Sequence, residues 1–288
     1  TVAIHFCIPT IVVVVIKIAL LVGDTTVPRW FARSIRRLLD NTEVMLTLQV
    51  VPSTPDDLGS PEKNISFYLQ DIREKGSWLP VAFARRVALR VLGPIPEIER
   101  VPLRDVIDGA EPTVLKPELI QADGLGYEFP TTTIEKIGSS ADLALHWGIG
   151  ILKGDVLSAP TYGVVGAHHG DVRAYRGGPP GFWEYVNREP TATVTVQRYT
   201  EQLDGGELLA ERTVSIDDAP TWRAVRRRLC RETPPAMAEA VVAATDESRL
   251  PTTVDQLGPV YSGDDRNLRV TLKYVSRTVP GWIQTILN

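Results

Sequence analysis

Short apolar runs separated by helical periods set the limits on what this chain can become. Residues 17–22 read Lys-Ile-Ala-Leu-Leu-Val, close on Gly23, and are followed after Pro28 by Trp30, Phe31, Ile35, Leu38 and Leu39 at roughly helical spacing, with arginines between them. Residues 44–51 are apolar again. A strand without polar alternation is one covered on both faces, and strand–helix–strand units of such strands wind a parallel sheet through right-handed crossovers. The alternation continues as helices over 64–75 and 79–92, a mixed stretch from 93 to 130, a short helix over 131–139, a strand over 142–147, a helical turn over 152–158 and a strand over 162–167. The expected fold is therefore α/β with a parallel sheet.

Beyond Gly177 the pattern changes. Pro179 and Pro180 can open a helix carrying Phe182, Trp183, Tyr185 and Val186, because proline is tolerated in a first helical turn. Residues 191–198 alternate, Asp204-Gly205-Gly206 turns the chain, and a second strand runs to 216, which predicts a β-hairpin element. A basic helix over 222–232 and a separate helix over 236–244 are expected in a mainly helical extension over 221–288. At the other end, residues 2–22 are apolar enough to suggest a membrane span, but they contain His5, Pro9 and Lys17. No basic residue precedes them and no Ala-x-Ala-like site follows, so a secretory leader is not expected. Residues 1–16 are taken as an apolar extension outside the fold, and 17–220 as the catalytic domain.

With 31 basic and 35 acidic side chains the net charge is −4, so the chain as a whole does not attract DNA or RNA. Two cysteines make neither a disulfide framework nor a four-cysteine zinc site, which fits a reducing, cytoplasmic setting. Gly148-Ile149-Gly150 with Gly154 misses the dinucleotide fingerprint, since the third glycine falls one position late and no acid ends a strand about 20 residues on. It still marks a loop at the carboxyl end of a strand, where ligands of such sheets bind. His168 ends the 162–167 strand and should project into that same crevice, as a functional or as a satisfied buried imidazole. His169 points the other way, so a shared metal is not expected. Asp204 is either a plain turn residue or, if the hairpin returns it beside His168, the carboxylate that orients the imidazole. Arg223, Arg227 and Arg231 share one helix face, a solvated face or a phosphate-binding one. Ser158, Ser262 and Cys230 lack the setting of a nucleophile elbow.

The stretches Ala-Asp-Leu-Ala-Leu-His-Trp-Gly at 141–148, Gly-Val-Val-Gly-Ala-His at 163–168, Tyr-Arg-Gly at 175–177, Val-Thr-Val at 194–196 and Leu-Asp-Gly-Gly-Glu at 203–207 together resemble the folate-dependent formyltransferases, the family of methionyl-tRNA, glycinamide ribonucleotide and amino-sugar formyltransferases. The resemblance implies a Rossmann-like sheet ending in a β-hairpin and formyl transfer from 10-formyltetrahydrofolate to an amine. It makes His168 and Asp204 the catalytic pair and assigns the folate to the main chain around Trp147, Gly148, Ile149, Gly150, Ile151 and Leu203. The family's Asn, two positions before the His, is Gly166 here. Losing one oxyanion donor lowers turnover by about 10²–10³. A backbone N–H, His169 or Arg176 is expected to replace it; a different reaction, or folate binding without turnover, are the alternatives. The 56 residues from 233 onward are too few for a tRNA-binding domain of the family's type, so the expected acceptor is a small amine, a sugar or nucleotide-linked sugar. His169, Arg173 and Arg176 are the expected acceptor-binding residues. A methionyl-tRNA formyltransferase-like enzyme without its tRNA-binding domain is the other reading.

Overall fold

The structure, a computed structural model, describes residues 15–41, 43–53 and 76–287. Its centre is a seven-stranded sheet of β1 (Ile16–Val22), β2 (Val44–Val50), β3 (Thr113–Leu115), β4 (Leu143–Trp147), β5 (Val164–His168), β6 (Thr191–Arg198) and β7 (Glu207–Ser215), ordered β7-β6-β5-β4-β1-β2-β3. Neighbours among β1 to β5 run parallel, and β6 and β7 add antiparallel. The chain builds outward from β1 to β3 and then returns to the other side of β1 with β4. Where the order reverses, the carboxyl ends of β1 and β4 bound a crevice, the usual ligand position in sheets of this kind. This is the α/β, Rossmann-like sheet with a β-hairpin that the sequence predicts.

The layers follow from the apolar pattern. On β1, Ile18, Leu20 and Val22 join the core on one face, and Ala19 and Leu21 join the core on the other. Both faces are covered, which is why the run lacks alternation. Full burial of a leucine such as Leu20 contributes about 2 kcal/mol. The first face is covered by α1 (Arg29–Leu39), through Phe31, Ile35 and Leu38, and by the long α5 (Trp222–Thr245), through Val225, Leu229, Met237 and Val241. The second face is covered in part by α3 (Thr131–Ser140), through Ile137. The remaining helices are α2 (Leu79–Leu92), α4 (Phe182–Asn187) and α6 (Leu268–Leu287).

Two expectations need correction. Ile16, assigned to an outer extension, is the first residue of β1. The helices expected over 222–232 and 236–244 are one 24-residue helix, with Pro234 and Pro235 inside it. Each proline removes a backbone donor, at a cost of about 3 kcal/mol in an isolated helix. Burial of Leu229, Cys230, Ala236, Met237, Ala240 and Ala244 on one side of α5 outweighs that break. Helix α6 falls in the extension expected to be mainly helical, which was given no helix bounds beyond 244. Residues 1–14 and the expected helix over 64–75 lie outside the described residues.

Gly23, directly after β1, shows how tightly the crevice closes. Its N–H donates to the Trp147 carbonyl at 2.9 Å, and a Cβ added there would stand 2.2 Å from the Gly148 carbonyl oxygen. Only a residue without a side chain lets the loops after β1 and β4 meet backbone to backbone.

Candidate active site

His168 ends β5 and Asp204 lies in the loop between β6 and β7. The antiparallel pairing of β6 with β5 brings them together although they lie 36 positions apart in the chain, with His168 Nδ1 3.5 Å from Asp204 Oδ2. Both side chains are largely withdrawn from water. The ring is fixed from its other side, where Nε2 lies 2.8 Å from the Tyr175 carbonyl oxygen. A carbonyl only accepts, so Nε2 carries a proton and Nδ1 is the nitrogen that gains or loses one against Asp204. Asp204 Oδ2 also accepts from the Gly177 N–H at 2.7 Å. The loop that delivers Asp204 holds it at φ 47°, left-handed backbone that Asp and Asn tolerate better than other side chains do.

Two cavities meet here. The larger, of about 430 Å³, lies at the carboxyl ends of β4 and β5 between Trp30 of α1 and Arg226, Leu229 and Cys230 of α5, with His169 on its wall. The smaller, of about 120 Å³, is lined by Gly150, Ile151, Leu152, Leu203 and Asp204. Asp204 therefore lines a cavity, whereas His168 lines neither and stands behind the carboxylate. Of the residues assigned to folate, Gly150, Ile151 and Leu203 line the smaller cavity, Trp147 and Gly148 line the larger, and Ile149 is turned into the core.

His169 faces the other way from His168, as expected of neighbours on an extended strand. Its ring packs edge-on against Trp30, with centroids 5.2 Å apart, and its Nε2 lies 2.8 Å from Thr233 Oγ1. The single Thr233 hydroxyl proton goes to the Leu229 carbonyl at 2.9 Å, so His169 Nε2–H is the donor and Nδ1 keeps a lone pair. Burial, then the nearby His168 and Arg226, push its pKa down to about 3. His146 on β4 is likewise pushed down to about 4 by burial.

Both rings are neutral in the fold and would be charged in the unfolded chain below pH 6.5. The folded pKa values are depressed, so this stability is complete above pH 6.5 and is lost as pH falls toward 4 and 3. At pH 4.5 each histidine costs about 3 kcal/mol. Urea midpoints measured at pH 7 and 4.5 should show the fall, and His169→Gln, which retains a donor for Thr233, should reduce it. Equal slopes in the two proteins would contradict this.

The arginines are placed differently from expectation. Arg173 is tied to Glu211 and Asp171, and Arg176 donates to the carbonyls of Gly258 and Leu203, so neither is turned to the described cavities. Arg227 and Arg231 pair with Glu97, and Arg223 donates to the carbonyls of Leu92, Gly93 and Pro94. That face of the helix holds protein. Arg226 is the inward one. It and Arg85 stand over the Trp222 ring at 5.4 and 5.3 Å from its centroid, and neither has a carboxylate partner among the described residues. Arg226 lines both the larger cavity and an adjoining groove of about 560 Å³ between α2, α5 and α6. Burial lowers its pKa, with Arg85 adding to the effect.

Sequence reasoning missed Tyr199. It follows β6, and its ring crosses β5 over Gly166, where an added Cβ would lie 1.9 Å from the phenol oxygen. The oxygen reaches 3.3 Å from His146 Nδ1 on the next strand. A glycine among β-branched strand residues marks a close approach from another element, and that signal was present in the sequence. No cluster of three or more metal-ligating His, Cys, Asp or Glu occurs among the described residues. No helix among them is long and apolar enough to cross a membrane.

No family model matches the chain. Among curated proteins, it is 32% identical over 80 residues to the bifunctional polymyxin resistance protein ArnA of Wigglesworthia glossinidia brevipalpis, covering 28% of this chain and 12% of that one. It is 30% identical over 74 residues to the methionyl-tRNA formyltransferase of Malacoplasma penetrans, covering 26% of this chain and 23% of the other. The matched stretch thus spans under a quarter of either relative's length. Among solved structures, an N-formyltransferase from Helicobacter canadensis, determined with folinic acid and dTDP-3-aminofucose, superposes with a TM-score of 0.55 at 9% identity, over 93% of this chain and 81% of that one. The fold is that of the Helicobacter canadensis N-formyltransferase, and about a quarter of the chain is similar in sequence to ArnA and to methionyl-tRNA formyltransferase.

Proposed function

We propose that the chain transfers a formyl group from 10-formyltetrahydrofolate to the amine of a small, anionic acceptor. The observation that carries this reading is the meeting of His168 and Asp204 at the wall of a cavity at the carboxyl edge of a formyltransferase-like sheet. Formyltransferases among the relatives and the folinic acid and nucleotide sugar bound to the Helicobacter canadensis protein support it. The smaller cavity suits one ring of a larger ligand, being below the 300–1,000 Å³ usual for a whole small molecule. Its walls at Gly150, Ile151, Leu152 and Leu203 offer peptide groups to the edge of a flat heterocycle, so the residues present fit a pterin. When bound, the folate supplies the formyl carbon.

The remaining roles belong to the chain. Asp204, as a carboxylate, accepts a proton from the attacking amine, and His168 behind it takes up the charge at Nδ1 while Tyr175 holds its Nε2–H. The larger cavity seats the acceptor. Its apolar walls and the His169 Nδ1 lone pair meet the body of the molecule, and Arg226 with Arg85 meets an anionic group such as a phosphate. Arg173 and Arg176 keep their structural partners.

Release of tetrahydrofolate, followed by absorbance with a panel of amino sugars, nucleotide-linked amino sugars and simple amines, tests this. Release is expected to need both donor and amine and to weaken with Arg226→Met through KM of the anionic acceptors. A protein that binds folate but neither transfers nor hydrolyses formyl across the panel would contradict it.

A further inference from the structure

Tyr199 is the one residue that lines both the larger cavity and the smaller cavity holding Asp204. Its ring lies over Gly166, in space that a side chain at that position would otherwise fill. Its hydroxyl has a single polar partner among the described residues, His146 Nδ1. His146 is buried, and its other ring nitrogen, Nε2, has no partner there.

The two tautomers of His146 are not equivalent. A proton on Nε2 would bury an N–H with no acceptor, which folded proteins rarely tolerate. With the proton on Nδ1, the ring donates to the Tyr199 oxygen, and Nε2 is left as a bare lone pair, the milder of the two deficits. In that arrangement the phenol proton is not used by His146 and is free to point to a ligand. Burial, and then the charge of Asp204, push the Tyr199 pKa up, so the phenol keeps its proton throughout the neutral range.

We infer that the Tyr199 hydroxyl, set in place by His146, donates the hydrogen bond that receives charge on the formyl oxygen during transfer. This rests on the formyl-transfer reading above. The acceptor amine forms a C–N bond to the formyl carbon as the C=O π pair moves onto oxygen. Tyr199 donates to that oxygen without giving up its proton. As the π pair returns, the bond from the formyl carbon to the folate nitrogen breaks, and that nitrogen takes the proton the amine loses through Asp204. A preorganised donor of this sort contributes about 10²–10³ in turnover.

The test compares the wild type with Tyr199→Phe, which keeps the ring over Gly166 and removes only the hydroxyl. With 5-formyltetrahydrofolate labelled at the formyl carbon with ¹³C, the isotope-edited infrared carbonyl band is expected at lower frequency in the wild-type complex than in the Tyr199→Phe complex, at similar affinity. The kcat of the variant is expected to fall about 10²-fold, with KM for the donor changed little. If Tyr199→Phe folds poorly, replacing Tyr199 with 3-fluorotyrosine keeps the size and strengthens the donor, and the band should move further down. A band that does not move, or a Tyr199→Phe protein as fast as or faster than the wild type, would make the ring a plug and overturn the role of Tyr199 while leaving formyl transfer intact. A wild type that neither binds the folate nor releases tetrahydrofolate would instead overturn the underlying reading.

Discussion

Asp204→Asn is expected to lower formyl transfer about 10³-fold while the protein keeps its fold. The choice of Asn matters. At φ 47° the backbone of residue 204 is left-handed, which Asn tolerates and Ala does so less, at a cost of about 1–2 kcal/mol. An Asn side-chain oxygen can still accept the Gly177 N–H now held by Oδ2. Only the negative charge and the capacity to take a proton are lost. Asp204→Ala would add an unsatisfied Gly177 N–H, worth about 1–3 kcal/mol, and would mix stability with chemistry. Turnover under saturating donor, measured beside a thermal melt, separates the two. An Asp204→Asn protein within tenfold of wild-type kcat would remove the carboxylate from the mechanism.

Gly166→Ala is expected to destabilise the protein by about 3 kcal/mol, a large share of the stability of an ordinary domain. The new methyl group would meet Tyr199 Oη at 1.9 Å and its ring carbon Cζ at 2.5 Å, both far inside contact distance. Tyr199 is partly buried and packs against the core, so its ring cannot swing aside without leaving His146 and opening the space between the two cavities. The conflict is between two named side chains and therefore predicts a coupling. Tyr199→Ala removes a partly buried ring and destabilises by itself, but the double variant Gly166→Ala with Tyr199→Ala should be more stable than the sum of the single changes by about 2 kcal/mol. Urea unfolding of the four proteins gives that number, and additive effects would show that the ring does not occupy the place above Gly166.

Much of this site could be anticipated from the chain alone, for physical reasons. β1 and β4 are apolar on both faces because helices cover both, so they stand out in sequence. The return of Asp204 to His168 is a consequence of pairing β6 beside β5; the residues themselves left it open against a plain turn, and the resemblance to the formyltransferases is what implied it. The division of labour was not legible. Which of the two faces the ligand depends on the Tyr175 carbonyl taking Nε2, a contact that no residue pattern announces. Helix α5 was divided in two because Pro234 and Pro235 break a helix by local rules, whereas tertiary burial of Leu229, Met237 and Val241 keeps it whole. Helix α6, which carries Pro280 inside it, was foreseen only as part of a mainly helical extension without bounds of its own. Among the arginines, Arg226 differs from Arg223, Arg227 and Arg231 only in pointing inward, and that is set by how α5 rolls on the sheet.

Co-crystallisation with folinic acid locates the donor most directly. The expected density has the pterin edge against the main chain of Gly150, Ile151, Leu152 and Leu203, with the formyl group within hydrogen-bonding distance of the Tyr199 hydroxyl and beside Asp204. Density confined to the groove between α2, α5 and α6, or no bound folate at saturating concentration, would contradict a formyl-transfer site at His168 and Asp204.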